Sequence, residues 1–124
     1  MVADWTPFCE ASDLTCDENR IEVAFGDDRS HIVTVETRTD SFILRAIVVR
    51  QATVLSQPDL PVQAWLRNRA VSLVGFRIDQ KNRLVGEAWI PRVGLTAEEF
   101  QLFVRTVAIE CDRFEYVLTG RDVE

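Results

Sequence analysis

The sequence has few of the residues on which enzyme sites are built. It contains one histidine, His31, and five scattered glycines among 124 residues. Ser30 precedes His31, but neighbouring residues on a strand point to opposite faces, so they do not predict a Ser-His catalytic pair. The glycines form no phosphate-binding loop. We therefore expect no catalytic residue and no cofactor, and the chain is not expected to be an enzyme.

The few cysteines do not predict a metal site. Cys9, Cys16 and Cys111 could join His31 in a Cys3His zinc site. However, the first two lack the short C-x2-C spacing, and Cys111 falls in an apolar stripe, where cysteine behaves as a small hydrophobe. Three cysteines without paired spacing fit a reducing compartment better than a disulfide framework. No metal ligand is therefore predicted.

Excess positive charge and long apolar runs are also absent. The formal net charge of −6 opposes a nucleic-acid partner, because such affinity depends on cationic contacts, and it opposes an anionic membrane surface. No apolar run approaches the roughly 18 residues that cross a bilayer, and the acidic first residues do not resemble a signal peptide. These features predict a cytoplasmic protein.

Alternation of apolar and polar residues predicts five strands. Three lie within residues 20–50, and the last of them is apolar on both faces apart from Arg45, so it is expected to be central in the sheet. Two more, VSLVGFRID and RLVGEAWIP, form a hairpin that turns at Gln80-Lys81-Asn82. Between these groups, Pro61 opens a short helix at about 61–70.

A long helix at about 97–119 is the clearest element. Thr96 and Glu99 form a capping-box pattern before it, and Gly120 is a typical helix stop. The segment 1–19 contains at most a short helix carrying Phe8 and Leu14. The order (α)-β-β-β-α-β-β-α predicts an α+β fold with a five-stranded antiparallel sheet. The length suits one domain, 1–124.

The long helix is apolar on two faces. At about 100° per residue, one stripe is expected to face the sheet, and it comprises Phe100, Phe103, Val104, Val107, Cys111, Phe114 and Leu118. A second stripe, on nearly the opposite side, comprises Leu102, Ile109 and Tyr116. Two interpretations stay open for this outer stripe. Either the N-terminal residues Trp5, Phe8 and Leu14 cover it, or it binds a partner or a second copy of the chain.

The short helix presents a similar choice. Val62, Trp65, Leu66 and Arg69 recur at helical spacing, and Leu66 is expected to be a core residue. Trp65 is the better interface anchor, because Trp and Arg are enriched at binding hot spots. The predicted partner or dimer surface therefore consists of Val62, Trp65, Arg69, Leu102, Ile109 and Tyr116.

Two stretches, LRNRAVSLVGFRIDQKNRLVGEAWIP and LTAEEFQLFVRTVAIECDRFEYVLTGRD, resemble the bacterial YbjN family, which is similar in fold to the small chaperones of type III secretion. The resemblance covers roughly residues 20–122 and consists of element order and apolar positions. It implies a cytosolic, non-enzymatic protein, commonly homodimeric through its middle helix, that holds a client segment in apolar grooves. YbjN proteins are also described as sensory-transduction regulators.

The leading hypothesis is a chaperone-like module that binds an extended or helical segment of a partner protein. The alternative is a regulatory or DNA-repair accessory protein that docks a folded partner. Both predict a protein partner and apolar binding surface, and they differ in whether the partner is bound as a segment or as a folded body.

Overall fold

The computed structural model describes residues 5–120 and contains a six-stranded antiparallel sheet in the order β1-β2-β3-β4-β6-β5. The strands are β1 (Leu14–Asp17), β2 (Arg20–Gly26), β3 (Arg29–Thr37), β4 (Ser41–Val49), β5 (Gly75–Ile78) and β6 (Leu84–Pro91). A 3-10 helix (Thr6–Cys9) precedes them, and the α-helices are α1 (Gln51–Ser56), α2 (Leu60–Ala70) and α3 (Ala97–Thr119). The predicted α+β class with an antiparallel sheet is confirmed.

The predicted number of five strands is wrong. The sixth strand is β1, in the segment that was expected to hold at most a short helix. Phe8 does lie in the 3-10 helix, but Leu14 begins the strand and pairs with Val23 of β2. A tight turn connects β1 to β2, with Glu18 in the left-handed region at φ 53°. Helix α1, which immediately follows β4, was also not predicted from the sequence.

Helix α3 lies across the inner face of the sheet and forms the core with it. Its buried residues are Phe100, Val104, Val107, Ala108, Cys111 and Phe114. The capping box is confirmed, since Thr96 Oγ1 accepts from the Glu99 amide and Glu99 accepts from the Thr96 amide. Gly120 ends the helix in the left-handed conformation, at φ 66°.

The sheet opens between β3 and β4. Their pairing runs from Thr37–Phe42 to Thr34–Arg45 and then stops, although β4 continues to pair with β6 as far as Val49. Beyond the Thr34–Arg45 pair, a side chain connects β3 to β4: His31 Nε2 donates to the carbonyl of Ile47 over 2.8 Å. The first part of β3 and the last part of β4 therefore border a cleft.

Helix α2 packs against β5 at one edge of the sheet. Leu60 and Ala64 face the core. The Asn68 side chain accepts from the Phe76 amide over 2.6 Å and donates to the Phe76 carbonyl over 2.9 Å. This pair of bonds fixes the end of α2 to the outer side of β5. Within residues 5–120, no helix is both long and apolar enough to cross a membrane.

Candidate partner-binding surfaces

The outer stripe of α3 is accessible in the structure. Leu102 is 54% exposed and Tyr116 is 40% exposed, while Ile109 is half-buried. On the opposite side, the predicted core stripe is buried except for Phe103 and Leu118, which are only partly buried. The helix therefore has the two apolar faces that its sequence predicts, with Phe103 closer to the surface than expected.

The N-terminal segment packs on the flank of α3 and leaves most of the outer stripe open. The Trp5 and Phe8 rings both contact Phe100, with ring centroids at 6.1 and 5.5 Å. Gln101 donates its side-chain amide to the Phe8 carbonyl over 2.8 Å. These contacts are made on the core side of the helix. Among residues 5–19, the apolar side chains thus fill the core rather than cover Leu102 and Tyr116.

A groove of about 570 Å³ runs between α3 and the β2–β3 hairpin. Ile109 and Tyr116 line one wall, and Phe25 of β2 lines the other. Leu102 does not line this groove. The groove therefore places two residues of the predicted outer stripe, Ile109 and Tyr116, opposite Phe25 of β2.

A β-bulge in β2 positions Phe25. The register with β3 shifts between Ala24 and Gly26, so Phe25 is the extra residue of the bulged strand. The following turn places Gly26, Asp27 and Asp28 at positive φ. Bulges commonly redirect a side chain next to a functional site. The sequence shows the turn residues, but the bulge depends on pairing with β3.

Ion pairs border the groove. Arg29 of β3 binds Asp112 of α3, and Arg105 of α3 makes two hydrogen bonds to Asp13, at 2.7 and 2.9 Å. The Arg105 guanidinium holds the pKa of Asp13 below its usual value through these bonds. A polar rim around an apolar floor is the usual composition of a protein interface.

The second predicted surface lies on α2. Val62 is exposed, Trp65 is 59% exposed, and Arg69 lies with its guanidinium carbon 5.1 Å from the Trp65 ring centroid. The expectation that Leu66 is a core residue is wrong, because it is half exposed and Ala64 faces the core in its place. Leu55 and Leu73, just outside α2, add further exposed apolar area.

The six predicted surface residues thus belong to separate surfaces. The α2 surface (Val62, Trp65, Leu66 and Arg69) is next to β5, at one edge of the sheet. The groove with Ile109 and Tyr116 is next to β2, near the other edge. A molecule with two such surfaces can join a second copy through one and a partner through the other.

The Cys3His zinc site considered from the sequence does not form among residues 5–120. Within the described part of the chain, the group close enough to share an ion is His31, Asp112 and Glu115, which includes no cysteine. Asp112 is already bound by Arg29. Burial raises the pKa of the Cys9 and Cys111 thiols, so both are protonated at neutral pH and are poor metal ligands.

No protein-family model matches the chain, and no curated protein matches it in sequence. Solved structures of low identity share its fold. A chain of the ExoU–SpcU complex from the type III secretion system of Pseudomonas aeruginosa matches with a TM-score of 0.63 at 12% identity, over 97% of this chain and 99% of that one.

Two further solved structures extend this likeness. A chain of the HopA1–SchA chaperone–effector complex matches with a TM-score of 0.57 at 11% identity, over 90% of this chain and 88% of that one. YbjN from E. coli matches with a TM-score of 0.54 at 17% identity, over 89% and 81%. The predicted resemblance to YbjN and to secretion chaperones is confirmed for the fold.

Proposed function

We propose that this chain, which has the fold of YbjN and of type III secretion chaperones, is a non-enzymatic, chaperone-like module that binds a segment of a partner protein. The observation that carries the proposal is the groove between α3 and the β2–β3 hairpin. Its walls present Phe25, Ile109 and Tyr116, and its rim carries paired charges. Two of the similar structures are complexes with a protein partner.

The shape and composition of the groove favour a segment over a small substrate. A groove with Phe25 on one wall and Ile109 and Tyr116 on the other takes the apolar side chains of an extended strand or one face of a helix. Each apolar side chain that becomes fully buried contributes roughly 1.5–3 kcal/mol. Two or three such anchors give useful affinity and still permit release.

The α2 surface is proposed to join two copies of the chain. Val62, Trp65 and Leu66 are exposed apolar residues of α2, and Leu73 follows the helix closely in the chain. Such a concentration is typical of an interface. The net charge of −6 keeps the free chain soluble while this surface is uncovered.

Site-specific photo-crosslinking in the native cell tests the proposed groove. A photoreactive phenylalanine analogue at Tyr116 is expected to crosslink to a small set of proteins, each at one defined segment. The same analogue at Gln80, an exposed residue of the β5–β6 turn, serves as the control. Identical products from both positions would contradict the proposal.

The crosslinked segment then separates the two hypotheses. As a synthetic peptide, it is expected to bind the purified chain, and Ile109→Ser with Tyr116→Ser is expected to weaken binding about tenfold or more. Binding of the intact folded partner without binding of the peptide would favour the alternative, a regulatory or DNA-repair accessory protein that docks a folded partner.

A further inference from the structure

The cleft between β3 and β4 concentrates positive charge. It has a volume of about 660 Å³ and is lined by Arg20, Arg45, Arg50 and Arg83. Among residues 5–120, the only acidic residue in its lining is Glu115 of α3. The chain as a whole carries a net charge of −6, so a lining with four arginines and one glutamate differs in composition from the rest of the molecule.

Two of these arginines have unused binding capacity. Arg45 is paired with Glu36 and Glu87, and Arg83 is paired with Asp79. Arg20 and Arg50 form no ion pair with any carboxylate of residues 5–120. Both are exposed. A guanidinium binds a carboxylate or a phosphate through two parallel hydrogen bonds, so both arginines can bind an anionic group.

The lining of the cleft is also suited to a peptide. Ile32 and Ile47 contribute apolar area between the arginines. Both lie where β3 and β4 have ceased to pair, and only the His31 ring bridges the two strands. An ion-sized ligand would use the charge alone, whereas an extended segment with acidic and apolar side chains would use both features.

A divalent cation is the competing occupant, because His31, Asp112 and Glu115 approach one another at the α3 side of the cleft. Arg29 already neutralises Asp112. Arg20 and Arg50, which have no carboxylate partner within residues 5–120, would repel a cation entering from the cleft. The charge distribution therefore favours an anion.

We propose that this cleft binds an acidic segment of a partner protein through Arg20 and Arg50. The proposal rests on the function proposed above, since it assigns an acidic character to part of the bound client. The apolar groove beside β2 would take the anchoring side chains, and the cleft would select for nearby aspartate or glutamate residues.

Titration of the isotope-labelled chain with acetylated hexaglutamate, followed by NMR at low ionic strength, tests the proposal. Saturable shifts are expected at Ile32, Ile47 and the arginine side chains of the cleft, and none with hexaglutamine. The double variant Arg20→Gln/Arg50→Gln is expected to weaken binding at least about tenfold. Arg20→Lys/Arg50→Lys, which keeps the charge but loses the paired donors, is expected to be intermediate.

The matched control is Arg38→Gln/Lys81→Gln, which makes the same change in net charge at exposed residues outside the cleft, the groove and the α2 surface. Equal weakening in both Gln variants, or shifts centred elsewhere, would overturn the proposal. So would tighter binding of inorganic phosphate than of hexaglutamate, since the cleft would then be a phosphate site. Because Ile109→Ser/Tyr116→Ser should leave hexaglutamate binding unchanged, failure here is distinguishable from failure of the groove.

Discussion

Gly86 shows how closely α3 packs on β6. A methyl group on Gly86 would overlap Cys111 Sγ and would lie 3.0 Å from the Phe76 ring. At Gly75, on the neighbouring strand, a methyl group would meet no atom within 4 Å. The two glycines thus form a matched pair, in which only one position is closed to a side chain.

Gly86→Ala is expected to lower the free energy of unfolding by about 1–3 kcal/mol, because the extra methyl group must displace Cys111 or Phe76. Gly75→Ala is expected to change it by no more than about 0.5 kcal/mol. Replacing Cys111 by Ala in the Gly86→Ala background should restore part of the loss. Urea denaturation measures all three, and equal losses for the two glycines would contradict the packing described.

At the residue scale, the sequence predicted which side chains share a face of a helix, but it did not predict how deeply each one is buried. Helical spacing placed Ile109 and Tyr116 opposite the buried stripe of α3. Leu66 was also expected to be a core residue of α2. In the structure, the small side chain of Ala64 is the one that meets the core. Spacing identifies which residues share a face, whereas the contact point depends on how the helix sits on the sheet.

At the scale of elements, the sequence predicted those that are long and whose start and end signals lie within the element or next to it. Helix α3 is long and has its start and stop encoded by Thr96, Glu99 and Gly120. Strand β1 and helix α1 are too short to show a period. The bulge at Phe25 and the cleft between β3 and β4 arise from pairing between strands. No local pattern shows either feature, so both sites were incomplete at the sequence level.

The ion pair between Asp13 and Arg105 fastens the N-terminal segment to α3. Asp13→Asn is expected to reduce stability at neutral pH by about 0.2–1 kcal/mol, because both side chains are partly exposed. Arg105 lowers the pKa of Asp13 in the folded state. The contribution is therefore present above the pKa of an unfolded aspartate, about 3.9, and is lost as the pH falls through the lower folded value.

Urea denaturation of both chains between about pH 7 and pH 3 checks this dependence. The difference between wild type and Asp13→Asn should shrink toward the acid end of the range. Asp17→Asn on β1 is the control, because Asp17 makes no ion pair within residues 5–120. A difference that grows on acidification would exclude the ion pair as its cause.

At the scale of the whole molecule, we propose that the two surfaces serve different partners. If α2 joins two copies at the β5 edge, each groove beside β2 stays open at the far side of its own sheet. Trp65→Asp is expected to convert a dimer into a monomer at micromolar concentration, because a desolvated carboxylate opposes association. Light scattering should show the mass falling from about twice 14.2 kDa to 14.2 kDa.

Trp89→Asp supplies the matched control for the dimer. Trp89 is 62% exposed on the face of the sheet opposite α3, close to Arg38. Its replacement is expected to leave the mass unchanged. A wild-type mass of 14.2 kDa at these concentrations, or dissociation by Trp89→Asp alone, would contradict dimerisation through α2.

The two hydrogen bonds between Asn68 and Phe76 also affect how the molecules behave at high concentration. They occupy the outward main-chain groups in the middle of β5. A sheet edge with such groups free is a template on which further chains add, and repeated addition produces fibrils. The side-chain amide of Asn68 binds the main-chain amide and carbonyl of Phe76 within the same molecule, so these groups are not available to another chain. We therefore expect Asn68→Ala to increase aggregation of the chain at high concentration, measured by light scattering.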